Sequence, residues 1–100
     1  MKQEFQNLVS NAKASIEQMD YIIAGPQGEG YVKNAINSIT IALQHNNALL
    51  EFAKRYMSDT SLTTTLQILP IFRQLEEETM AAQKFIYQYS GILKLLQEKA

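Results

Sequence analysis

The chain contains no cysteine, which excludes disulfides, thiolate chemistry and zinc sites of the Cys/His kind and is compatible with a reducing compartment. It contains one histidine, His45. A general base or metal-binding histidine needs partners, yet positions 41 and 49, one turn away on either side, are Ile and Leu. The Glu-x-x-His unit of di-iron helical bundles is also missing. His45 therefore reads as a structural histidine, and neither a metal nor a cofactor is expected. Charge of one sign is lacking as well: nine basic against ten acidic residues leave a net charge of -1. No overall field gathers a polyanion, so no nucleic acid is expected as a partner. The longest apolar runs fall far short of the roughly 20 residues that span a bilayer, and Met1 to Asn7 holds no apolar signal core. The expectation is a cytoplasmic protein with no membrane segment.

What the chain does have is periodicity. Phe5, Val9, Ala12, Ile16, Met19 and Ile23 advance by alternating fours and threes. So do Val32, Ile36, Ile39, Leu43, Leu50, Ala53 and Met57, with Asn46 in one polar slot, and then Ile68, Phe72, Leu75, Thr79, Ala82, Ile86, Tyr89, Leu93 and Leu96. A mean step of about 3.5 residues lays one apolar seam along each of three helical rods. At 100 residues the chain is one domain, 1–100, able to bury roughly 60 to 65% of the surface its unfolded form exposes.

Only two prolines and four glycines punctuate these rods. Gly25-Pro26 stops a first helix running from about Gln3 to Ala24, and Gly25 to Gly30 is a turn between antiparallel neighbours. A second helix runs from about Tyr31 to Met57 and ends in the capping cluster Ser58-Asp59-Thr60-Ser61. Pro70 kinks or breaks the third rod. Unbroken, that rod would reach roughly 57 Å, against roughly 33 and 40 Å for the others, whereas a last helix beginning at Pro70 measures roughly 45 Å. The predicted fold is all-α: an antiparallel bundle of three long helices with a short helical connector, about 61–69, before Pro70. The alternative keeps the third rod whole and pairs its overhang with a second copy.

The second rod carries a flanking stripe, Tyr31, Ala35, Ser38, Ala42, His45, Leu49, Phe52 and Tyr56, beside its seam. So wide an apolar arc belongs in the middle of the bundle. Ile41 lies outside both stripes, and the connector adds Leu62, Leu66, Ile68 and Leu69. This surplus of apolar side chains predicts self-association.

Candidates for chemistry reduce to structural roles. Asn46 is either a buried pin that fixes register or a residue that reaches solvent where the seam rotates, and the second reading is the favoured one. Glu76-Glu77-Glu78 fans across about 200° of helix and cannot converge on one substrate atom. It reads as a solvated face. Lys54-Arg55 complements the carbonyl end of its helix. The glycine-rich turn, with Gly28, Gly30, Tyr31 and Lys33 at a helix start, is an alternative site for a small nucleotide-like anion. Its spacing matches neither phosphate-binding fingerprint, and Glu29 repels an anion. Five tyrosines suit a protein interface better than base stacking, which needs a basic groove.

No nucleophile with its base and no cofactor cradle is present, so an enzyme is not expected. The expected function is a helical interaction module, homo-oligomeric, that inhibits, chaperones or tethers a partner protein. The side chains left over after a three-rod core is built, and so assigned to partner binding, are Ile41, Phe52, Tyr56, Leu62, Leu66, Leu69, Phe85 and Tyr87. The alternative function is sequestering a small anion at the turn.

Overall fold

The computed structural model describes residues 2–57 and 70–99 of the chain. They form three helices: α1, Lys2–Ala24; α2, Tyr31–Met57; and α3, Pro70–Lys99. No strand occurs among the described residues. The connector at 61–69, with Leu62, Leu66 and Leu69, lies outside them. Pro70 is the first residue of α3, where its fixed φ suits a helix and its missing amide hydrogen costs no helical bond. The particle is a rod of 52 × 21 × 15 Å.

Short local bonds shape the turn between α1 and α2. The Gly25 amide donates to Ile22 O at 3.2 Å and closes α1. The Tyr31 amide donates to Gly28 O at 3.2 Å, and Gly30 O accepts the Asn34 amide at 3.0 Å, the first bond of α2. Gly30 has φ 79°, a left-handed conformation that a β-carbon would strain. The Tyr31 hydroxyl donates to Ile23 O at 2.7 Å, capturing one of the carbonyls that a helix C-terminus leaves unpaired.

α2 is the central helix and packs against both α1 and α3. Its buried arc takes in Ala35, Ser38, Ile39, Ala42, Leu43, Asn46, Leu49, Leu50, Phe52 and Ala53, so both stripes read from the sequence are used. One core cluster joins Phe5, Val9 and Ala12 of α1 to Leu49, Phe52 and Ala53 of α2 and Leu75 and Ala82 of α3. Phe5 stacks on Phe52 with centroids 6.0 Å apart, and Phe52 meets Tyr56 at 4.6 Å. A second cluster, nearer the turn, joins Met19, Ile39, Ala42, Leu43 and Phe85, with half-buried Ile23, Tyr89, Leu93 and Leu96 around it.

The seams are phased slightly differently from their sequence reading. On α1, Ser15 is buried while Ile16 is only partly so, and on α3 Phe85 is buried while Ile86 is partly exposed. Asn46 is a clear correction: it is 3% exposed and inside the bundle. Its Nδ2 donates to Ala42 O at 2.8 Å, so its own helix satisfies it and no rotation toward solvent is needed. Ser15, Ser38 and Thr79 do the same, donating to Ala12 O, Ala35 O and Leu75 O. Among the described residues no buried side-chain polar atom is left without a partner, which removes the usual penalty for polar groups in a core.

Candidate docking face

The described residues among those assigned to partner binding separate into three groups. Phe52 is 1% exposed and Phe85 8% exposed, so both are core residues. Neighbouring aromatic rings cover them, Phe5 and Tyr56 over Phe52 and Tyr89 over Phe85. Tyr56 is half-buried against Phe52. Ile41 and Tyr87 are exposed, Ile41 by 50%. They sit on different helices and form no common surface with one another.

Around Ile41 the fold does build something. A groove of about 240 Å³ runs between α1 and α2, lined by Ser15, Gln18 and Ile22 on one side and Asn34, Asn37, Ser38 and Ile41 on the other. Ser15 and Ser38 are buried and turn their hydroxyls back onto their own helices. With such small side chains between the two rods, the valley stays open. Gln18, Asn34 and Asn37 are exposed, Ile22 is half-buried and Ile41 stands at the edge. Tyr21, exposed, comes next on the outer side of α1.

The face has no charge. From Asn34 to Leu50, α2 contains no Asp, Glu, Lys or Arg. Between Asn7 and Ile22 the flank of α1 that lines the groove carries Asn7, Asn11, Ser15, Gln18 and Ile22, with Ala14 and Tyr21 outside them and the charged Glu17 beyond. Depletion of charged residues is one compositional mark of an interface centre. Ile41 stands out in the sequence as an apolar residue outside both stripes, whereas apolar periodicity does not point to Gln18, Ile22, Asn34 and Asn37. The signal that would have found them is the uncharged run itself.

The remaining candidates have structural surroundings of their own. Gly28 and Gly30 are exposed, with nothing within 4 Å of an added β-carbon. Tyr31 has both its amide and its hydroxyl committed to the turn, and Lys33 is exposed. Glu76 and Glu77 face solvent, but Glu78 is partly buried and pairs with Lys13 of α1 at 3.3 Å. The acidic run thus includes one tie between helices. His45 is half-buried, and no group of three or more His, Cys, Asp or Glu that could hold a metal occurs among the described residues. No described helix is long and apolar enough to cross a membrane.

Compared with known proteins, the chain matches no family model, no curated sequence and no solved structure.

Proposed function

We propose that this chain is a non-catalytic interaction module of the cytoplasm that regulates a protein partner by receiving a helix of that partner on its α1–α2 face. The observation that carries this reading is the uncharged groove between Ser15 and Ser38, with the half-exposed Ile41 at its edge. A helix laid there would bury Ile22 and Ile41, and the surrounding amides would supply hydrogen bonds without the desolvation cost of a charge. Affinity would come from apolar burial at about 25 cal/mol per Å² less the entropic cost of association. The turn is less well suited to bind an anion, because Tyr31 already spends its hydroxyl on Ile23 O.

A photoreactive amino acid placed at position 44, beside Ile41 on α2, tests the proposal in cells that express the chain. The expected result is a discrete adduct of defined mass that Ile41→Asp removes while the far-ultraviolet circular dichroism is unchanged. The same probe at position 77 on the exposed side of α3 should give none. Equal labelling from both positions, or none from position 44, would contradict the reading.

A further inference from the structure

The two charges that bound the neutral stretch of α2 are Lys33 and Glu51. They are 18 positions apart by subtraction of their numbers, which is five helical turns, so they share one line along the helix about 27 Å apart. Both are exposed, and they lie at the edge of the face that carries Asn37, Ile41 and Gln44. Lys33 does not stabilise its own helix, and Glu51 makes only one weak, exposed i,i+3 pair within it. Lys33 is in the first turn of α2, where the macrodipole disfavours a cation. Glu51 approaches Lys54 only to 3.9 Å, with both side chains largely exposed. Among the described residues Lys33 makes no ion pair.

From this arrangement we infer that the α1–α2 face docks against the same face of a second copy, with the two α2 helices antiparallel about a two-fold axis beside Ile41. The inference rests on the interaction reading above and names the partner. A two-fold axis across the helices keeps each lateral edge on the same side while reversing direction. Centred on Ile41, it brings Asn37 to the height of the partner's His45 and Asn34 to the height of the partner's Ala48. Lys33 then lies beside the partner's Glu51, offset by about 3 Å along the axis, within reach of a lysine side chain. Because the axis acts twice, two opposite-charge pairs close the rim of a neutral centre. A neutral face meets its own copy without like-charge repulsion, which a face of one sign cannot do. Parallel packing about a two-fold along the helices puts the two Lys33 side chains on opposite rims and each Lys33 about 27 Å along the axis from the partner's Glu51, so it forms neither pair.

Charge exchange separates these arrangements. Sedimentation equilibrium of the full chain is measured for the natural sequence, Lys33→Glu, Glu51→Lys and the double exchange, with circular dichroism to establish helicity. The natural chain should be a dimer. Each single exchange makes two like-charge contacts and should weaken the dimer by roughly tenfold. The double exchange should restore the dissociation constant to within roughly twofold of the natural value. Single exchanges that leave the constant unchanged, or a double exchange that fails to restore it, would overturn the antiparallel two-fold. A monomer at all concentrations would overturn the second copy as the occupant. In that case a position-44 adduct to a different protein would leave the interaction reading standing, and no adduct would remove both.

Discussion

The two flanks of α1 are finished in opposite ways. Toward α3, Gln6 Nε2 donates to Gln74 Oε1 at 3.1 Å and Lys13 pairs with Glu78 at 3.3 Å, so polar and charged groups close that valley within the chain. On the other flank, two residues along from Lys13, Ser15 opens the groove to Ile22 and Ile41 with no charged residue in its lining. Two positions on a helix are about 160° apart around its axis, so one rod presents both surfaces. The α3 side has its partners, and the α2 side has an uncharged bed that no described residue fills.

The largest test of that contrast is Phe52→Ala, at the closed end of the bundle. Phe52 stacks on Phe5 and Tyr56, and losing it should cost about 3 to 5 kcal/mol in urea unfolding. A cost below about 1 kcal/mol would show that this end is loosely packed. Next is the α1–α3 tie. The Lys13 side chain is 62% exposed and that of Glu78 18%. A double-mutant cycle with Lys13→Ala and Glu78→Gln should return a coupling of about 0.2 to 1 kcal/mol that shrinks as salt rises. No coupling would mean that α3 is held by apolar contacts alone. The smallest effect is expected at Ile41. Ile41→Ala should change unfolding of the monomeric chain by about 0.5 kcal/mol or less, because half the side chain is already in water. A cost near that of Phe52→Ala would place Ile41 in the core and close the groove as a site.

Much of the fold was legible because strong local signals agree with tertiary need. Gly25-Pro26 and Pro70 set helix boundaries through backbone geometry alone, and the wide arc of α2 marked it as the central rod. The phase of the seams was less legible. Ser15 and Asn46 enter the core because each bonds to a carbonyl of its own helix, a local remedy that hydrophobicity patterns do not register. Phe52 and Phe85 lie beside the main seams of their helices, and a seam does not say which of its edges a neighbour covers. That depends on where Phe5 and Tyr89 arrive, which is a tertiary fact. The groove is a void between rods and so has no residue pattern of its own. Only its lack of charge was written in the sequence.

The most direct measurement of the central claim, that the α1–α2 face docks a second copy, is the molar mass of the intact chain by light scattering beside Ile41→Asp. The chain has a mass of 11.4 kDa, and about twice that is expected for the natural sequence, falling to a single copy for a variant that stays equally helical. A natural chain that runs as a single copy, or a doubled mass that Ile41→Asp leaves intact, would contradict self-docking on this face.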